Sequence, residues 1–269
     1  MAQHDRIDTR VEDLWRTYLT TGETENERNQ RRLFKLLPGS PRCKICYAPF
    51  RGMGSTVARL LYGKKPSVLN PQLCNVCEQL ASENQGGAEI ELSLLFVDVR
   101  GSTNLAESMS PVDYSQLINR FYNEATRAMI RSDALIDKII GDQAAGMFVP
   151  GFAGPEHARR ALESAQGILH ATGHARDQTP WIPLGAGVHT GSAFVGSVGS
   201  EGGTSDITVL GDAANTAARL ASSAEVGEIL ISQAAYEVAG LDLGELETRN
   251  LQLKGKSQSV RVHILSTLS

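Results

Sequence analysis

No stretch of this sequence approaches the ~20 consecutive apolar residues of a membrane helix; the longest run, around Leu94 to Val99, is strand-sized and contains an acid, Asp98. Membrane insertion is therefore not expected. Positive charge is in short supply too, with 26 Lys and Arg against 30 Asp and Glu and a net charge of −4. That balance argues against nucleic acid as a partner, because phosphate backbones are bound by basic surfaces. An apolar signal-peptide core is missing, since Met1 to Arg16 is studded with charge, and the sequence predicts a cytoplasmic location. Cysteine is limited to four residues, which in a reducing compartment read as metal ligands rather than disulfides. What is present is ordinary for a globular protein: 41% hydrophobic residues are far from the signature of disorder. A chain of 269 residues suffices for one large domain, or a medium one with an appendage.

The chain divides by pattern. In the first forty residues Val11, Leu14, Trp15 and Tyr18 fall at helical spacing, and Leu33, Leu36 and Leu37 form a second apolar cluster. Two short helices are expected there, the alternative being a partly disordered leader. A four-cysteine module spans residues 41–81, and a polar segment at 82–89 with adjacent Gly86 and Gly87 reads as a linker. Residues 90–269 then alternate strand and helix. Leu92 to Val99 predicts a buried central strand, Ser110 and Pro111 predict a helix cap and first turn, and Ala134 to Val149 predicts two strands joined at Gly141 and Asp142. A helix is expected to open at Pro155 and another to run from Asp212 to Ser222. Strands are expected at Leu184 to His189, Ala193 to Val198, Ile207 to Leu210 and Ile229 to Ser232, with a final pair flanking Lys254. This order implies an α+β sheet with helices on one face.

Asp98 ends an apolar strand, where a carboxylate is costly unless its charge is compensated. A helix N-cap is the plain alternative, but Ser102 and Thr103 are better placed for that. Asp142 sits in a Gly-Asp turn, which alone reads as a hairpin dipeptide. Together they suit Mg²⁺ or Mn²⁺, hard cations held by one or two carboxylates and substrate phosphates. Two such ions serve phosphoryl chemistry by acidifying an attacking hydroxyl and by stabilising charge on the leaving phosphate.

Leu94-Leu95-Phe96-Val97-Asp98-Val99-Arg100-Gly101-Ser102-Thr103 resembles the first metal-binding segment of class III adenylyl and guanylyl cyclases, and Asp137-Lys138-Ile139-Ile140-Gly141-Asp142 resembles the second. Further matches are Gly187-Val188-His189-Thr190-Gly191, the segment from Thr208 to Leu220, and Leu253-Lys254-Gly255-Lys256. The likeness runs from about Glu91 to Leu265, in order. It implies a ferredoxin-like catalytic domain and conversion of ATP to cyclic AMP at a homodimer interface. In that arrangement Asp98, Asp142 and the Val99 carbonyl of one subunit hold two Mg²⁺ or Mn²⁺ ions. Asn215 and Arg219, one helical turn apart, come from the other subunit: Asn215 orients the ribose and Arg219 stabilises charge developing on the α-phosphate.

Lys138 and Thr208 stand where the family reads the base. A lysine donor and a hydroxyl acceptor match adenine's ring nitrogen and amino group, whereas guanylyl cyclases typically carry Glu and Cys. The Lys/Thr pair resembles the bacterial class IIIb subgroup. Lys254 falls where a family lysine contacts the terminal phosphates. One departure is the absence of the arginine often found before the Thr208 segment, where this chain has Gly202, Gly203, Thr204 and Ser205. Another is Ser102 in place of a frequent Phe, expected to alter packing more than chemistry. His189 reads as structural, and Gly196 and Gly199 as hairpin glycines.

Cys43 and Cys46 form one Cys-x-x-Cys pair and Cys74 and Cys77 another. Such pairs suit one tetrahedral zinc ion per chain, the alternatives being an iron–sulfur cluster or free thiols. The module is either structural or a receiver for a regulatory ligand or protein. For the whole chain the competing readings are a guanylate or pyrimidine nucleotidyl cyclase, and a catalytically silent cyclase-like module.

Overall fold

The structure, a computed structural model, describes residues 9–22, 25–68, 71–175, 178–199, 205–254, 256 and 259–267, with the side chains of residues 25–27, 138 and 205 outside that description. In chain order the elements are α1 (Thr9–Thr21), α2 (Glu25–Leu36), α3 (Met53–Tyr62), α4 (Asn75–Glu83), β1 (Gly86–Val99), α5 (Ser102–Ser108), α6 (Pro111–Arg131), β2 (Leu135–Ile140) and β3 (Gln143–Phe148). There follow α7 (Pro150–Ala153), α8 (His157–Ala171), β4 (Leu184–Gly199), β5 (Ser205–Leu210), α9 (Asp212–Ser223), β6 (Glu228–Ser232), α10 (Gln233–Ala239), β7 (Glu247–Leu251) and β8 (Val260–Ser266).

The eight strands form one sheet in the order β2-β3-β1-β4-β6-β8-β7, with β5 paired to β4. The β1/β3, β2/β3, β6/β8 and β7/β8 pairs are antiparallel and β4/β6 is parallel, which gives the expected α+β architecture. From Leu92 to Val99 every residue of β1 is buried. Burial on both faces is what an unbroken apolar run requires.

Two compact units share the chain. The first comprises residues 1–90, 150–152 and 194–208, and the second residues 91–149, 153–193 and 209–269. In the second, α6 begins as the sequence predicts: Ser110 accepts the Asp113 N–H (3.1 Å) and Pro111 opens the first turn. Its stripe of Ile118, Phe121, Ala125 and Met129 is buried and packs with Leu95 and Val97 of β1, Ala161 and Leu162 of α8, and Ile229 and Ile231 of β6. Truncating a fully buried phenylalanine such as Phe121 costs on the order of 3–5 kcal/mol in a core of this kind.

A second, smaller core lies on the other side of β6, where Leu230 meets Leu220 and Ala224 of α9 with Val262 and Ile264 of β8. Alternation along a strand sends Leu230 to the opposite face from Ile229 and Ile231. Helices were expected on one face only; α9 covers part of the other. Gly187 on β4 permits this close approach, because a Cβ there would stand 2.4 Å from the Ala221 backbone nitrogen.

Three other expectations need adjustment. Ser82 and Glu83 close α4, and Gly86 to Glu89 begin β1, so the polar 82–89 segment is largely built into elements. The two strands expected on either side of Gly191 are one 16-residue strand, β4. The helix expected at Pro155 starts at His157, with Glu156 as its cap.

In the first unit, Trp15 of α1 is buried and donates its indole N–H to the Asn84 carbonyl (2.9 Å). Phe34, Ala48, Ala58 and Leu73 surround the four cysteines in a small core.

Candidate functional site

The β1/β3 register sets Asp98 opposite Gln143, immediately beside Asp142 at the β2–β3 turn. The Val99 N–H donates to the Asp142 carbonyl (2.9 Å), so the two acids singled out from the sequence meet at one end of the sheet. Gly141 turns the hairpin at φ 66, in the left-handed region that glycine tolerates, and its carbonyl accepts the Tyr122 hydroxyl (2.6 Å). Asp98 is 9% exposed. Its carboxylate pairs with the Arg100 guanidinium and accepts a bond from the Gln143 amide (3.3 Å). Arg100 also donates to the Ser222 carbonyl at the end of α9 (2.5 Å).

Ser102 donates its hydroxyl to the Asp142 carboxylate. It thus touches a candidate ligand directly, a contact that the expectation of packing more than chemistry did not include. Nor do Ser102 or Thr103 cap α5; the N-cap is Gly101, which makes no side-chain bond. Burial, with help from the Asp142 carboxylate, pushes the Tyr114 and Tyr122 phenols above their ordinary range. Burial lowers the Arg100 pKa while Asp142 opposes that shift.

Two carboxylates and the Val99 carbonyl at one strand end are an all-oxygen donor set, which fits a hard divalent cation. Arg100 was not assigned a role from the sequence. The signal was available, because residues two apart on a strand point to the same side, and Arg100 is two from Asp98.

On α9, Ala213, Thr216, Ala217, Leu220 and Ala221 are buried. Asn215 is exposed and Arg219 half-buried, on the remaining face. Among the described residues neither side chain has a hydrogen bond or ion pair with Asp98 or Asp142. Lys254 is exposed, held by the buried Leu253, which packs on α9. Lys256 pairs with Asp212 at the start of the same helix. His189, whose ring Nδ1 lies 2.8 Å from the Ser232 hydroxyl, is kept neutral: burial, reinforced by Lys256 and opposed by Asp212, lowers its pKa to about 4.

Thr208 on β5 is buried. Lys138 on β2 pairs through its backbone with Ala145; its side chain lies outside the described residues. Between Ile136 and Lys138 the register shifts, leaving Asp137 as an extra residue, a local kink of the β-bulge kind. Its carboxylate accepts the Val209 N–H (3.2 Å). Asp137 is therefore a tie that sequence reading did not single out. Gly202, Gly203, Thr204 and Gly255 fall outside the described residues.

The four cysteines are all buried, and their sulfurs lie within 4.8 Å of one another. Cys43 and Cys46 sit on a tight turn in which the Tyr47 N–H returns to the Cys43 carbonyl (3.0 Å) and the Cys43 N–H reaches the Ala48 carbonyl (2.9 Å). Cys74 caps α4, its sulfur accepting the Cys77 N–H (3.4 Å). Hydrogen bonds from Cys43 and its neighbours hold the Cys74 thiol well below the ordinary thiol range, whereas burial pushes Cys43 up. Four converging sulfurs form a soft donor set of the kind that tetrahedral metal sites use.

No helix among the described residues is long and apolar enough to cross a membrane. Residues 87–267 match the family described as adenylate and guanylate cyclase catalytic domain. The chain is 29% identical over 221 residues to an adenylate cyclase of Anabaena cylindrica, a match covering 76% of this chain and 41% of that protein. The matches span 33–41% of the length of such curated relatives. The fold resembles the guanylyl cyclase Cya2, with a TM-score of 0.62, 24% identity and coverage of 68% of this chain and 95% of that one. It also resembles the adenylyl cyclase CyaB of P. aeruginosa, with a TM-score of 0.58, 26% identity and coverage of 68% and 99%. With the aspartate pair at a sheet end, a β2–β3 hairpin behind it and a family match over two-thirds of its length, this chain belongs to the adenylate and guanylate cyclase catalytic domain family.

Proposed function

We propose that the protein is an adenylate cyclase that forms 3′,5′-cyclic AMP and pyrophosphate at a homodimer interface, using two Mg²⁺ or Mn²⁺ ions per site, and that it serves intracellular signalling. The observation that carries the reading is the meeting of Asp98 and Asp142 at one end of β1 and β3. In the reaction the ribose 3′-oxygen bonds to the α-phosphorus, the bond from that phosphorus to the bridging oxygen breaks, and pyrophosphate leaves. Metal bound at Asp98, Asp142 and the Val99 carbonyl supplies acidification of the 3′-hydroxyl and neutralisation of phosphate charge.

The chain's own residues do the rest. Arg100 and Ser102 hold the two carboxylates in place before substrate arrives, and the cation that joins the pair competes with those internal partners. Arg219 and Asn215, which make no hydrogen bond or ion pair with Asp98 or Asp142 of their own chain, act across the two-fold axis on the partner's substrate. Arg219 places an always-charged planar donor at the α-phosphate, Asn215 orients the ribose, and Lys254, exposed on its loop, meets the terminal phosphates.

Adenine selection rests on Lys138 and Thr208. Thr208 is buried, and a mismatched base opposite a buried polar group is penalised more than one facing water. Incubating purified protein with ATP or GTP and Mn²⁺ or Mg²⁺, followed by product identification, tests the assignment. ATP should yield cyclic AMP, and Lys138→Glu with Thr208→Cys should lower the ATP/GTP ratio of kcat/KM by roughly tenfold or more. Cyclic GMP as the main product of the wild-type protein, or a ratio that does not move, contradicts it.

A further inference from the structure

The cysteine cluster lies outside the stretch matched to the cyclase family, which begins at residue 87, and cyclisation uses none of its side chains. A single tetrahedral ion with metal–sulfur bonds of ~2.3 Å sets its thiolates ~3.8 Å apart. The Cys46 and Cys74 sulfurs stand 3.7 Å apart, and all four sulfurs fall within 4.8 Å of one another. A multi-iron cluster, with irons and sulfides between its thiolates, needs more room than this.

The surroundings also suit a four-thiolate ion, which carries surplus negative charge. The Cys74 N–H points to the Cys43 sulfur (3.3 Å) and the Cys77 N–H to the Cys74 sulfur (3.4 Å). The Lys64 side chain is buried, its ammonium 5.8 Å from the centroid of the Phe34 ring that packs in the cysteine core. Such outer bonds orient ligands and offset their charge. With so few large side chains around it, a module of this size gains folding energy from the ion itself.

One neighbour gives the cluster a further consequence. Ile207 of β5 packs against the cysteine core, and Ile207 directly precedes Thr208 in the same strand. We infer that Cys43, Cys46, Cys74 and Cys77 hold one tetrahedral divalent ion of the zinc class, and that this ion, by ordering the module against Ile207, fixes the position of Thr208. The effect on substrate choice rests on the base-reading role proposed above for Thr208; the metal site does not.

The test uses the full chain, purified without chelators. Elemental analysis should find one zinc-class ion per chain. Exchange for Co²⁺ should give the near-ultraviolet thiolate charge-transfer absorption and intense visible bands of a tetrahedral sulfur site, both diminished in Cys74→Ser. The spectrum of the wild-type protein decides the matter even where that variant does not fold. A folded wild-type protein that binds neither zinc nor Co²⁺, or a Co²⁺ spectrum without thiolate bands, overturns the site.

Coupling is read by amide hydrogen exchange, which needs no turnover. Removing the ion should speed exchange at Ile207 and Thr208 by about tenfold or more relative to Ile229–Ile231 of β6. Equal changes in both strands overturn the coupling. A selective change in β5 with an unaltered ATP/GTP preference instead overturns the role of Thr208 and leaves the metal coupling standing.

Discussion

Asp98 and Asp142 arrive at a strand end already supplied with internal partners, Arg100 and Ser102, whereas the four cysteines are buried together and bond chiefly to one another and to backbone N–H groups. The first arrangement suits ions that come and go with substrate. Hard oxygen donors hold Mg²⁺ or Mn²⁺ loosely, and an arginine that neutralises Asp98 meanwhile keeps the carboxylate from being buried unpaired. The second suits a resident ion, because four thiols drawn together gain little unless a cation joins them. On the proposed reading, one chain carries an exchangeable site for chemistry and a closed site for architecture.

The sharpest way to separate the two is to disable one and watch the other. Asp98→Ala or Asp142→Ala should lower kcat by on the order of 10³-fold or more, since each removes a ligand worth several kcal/mol of transition-state stabilisation. Metal content at the cysteines should stay unchanged. Steady-state kinetics with elemental analysis on the same samples checks both, and a loss smaller than tenfold would break the comparison at its catalytic end.

The β2–β3 hairpin around Gly141 and Asp142 was legible in the sequence because its geometry is local, whereas Asp98 reaches Asp142 through the β1/β3 pairing across α5 and α6, which only the family resemblance implied. The cysteine pairs were legible for a similar reason, since each Cys-x-x-Cys sets two sulfurs close together in a short stretch of chain. Long-range placement was not. Nothing in Ser102 alone announced its hydroxyl bond to Asp142, and the packing of Ile207 on the cysteine core joins residues far apart in sequence. The placement of α9 was recoverable in principle. The run Ile229-Leu230-Ile231 is apolar at every position, which signals a strand covered on both faces, and the one-face expectation overlooked it. Separate strands were expected on either side of residues 190–192, yet β4 runs through them, because a glycine such as Gly191 weakens a strand without ending one.

Acid acts on the two regions differently. In the catalytic unit, burial lowers the pKa of His157, His174 and His189, that of His189 to about 4. Each is held neutral in the fold, while the unfolded chain takes up its proton near pH ~6.5. The folded state therefore binds fewer protons between those limits. The associated stability is full above pH ~6.5 and declines as pH falls toward ~4, with His189 contributing at most ~3 kcal/mol. His189→Gln, which preserves a polar group near Ser232, should flatten this acid limb in denaturant titrations at pH 7, 6, 5 and 4. Wild-type and variant curves with the same slope would contradict it. At the cysteines acid should instead release the ion by protonating its thiolates, an event seen as free metal.

The central claim, a composite site with the aspartate pair from one subunit and Asn215 and Arg219 from the other, is tested most directly by mixing Asp98→Ala with Arg219→Ala protein under conditions of verified subunit exchange. Each variant alone should be nearly inactive. In a mixed dimer one site carries both defects and the other carries neither. Random exchange at equal amounts makes about half the dimers mixed, each with one intact site of two, so activity should recover to roughly 25% of wild type. No recovery would mean that the metal ligands and the arginine serve the same chain's site, and the interfacial account would fall.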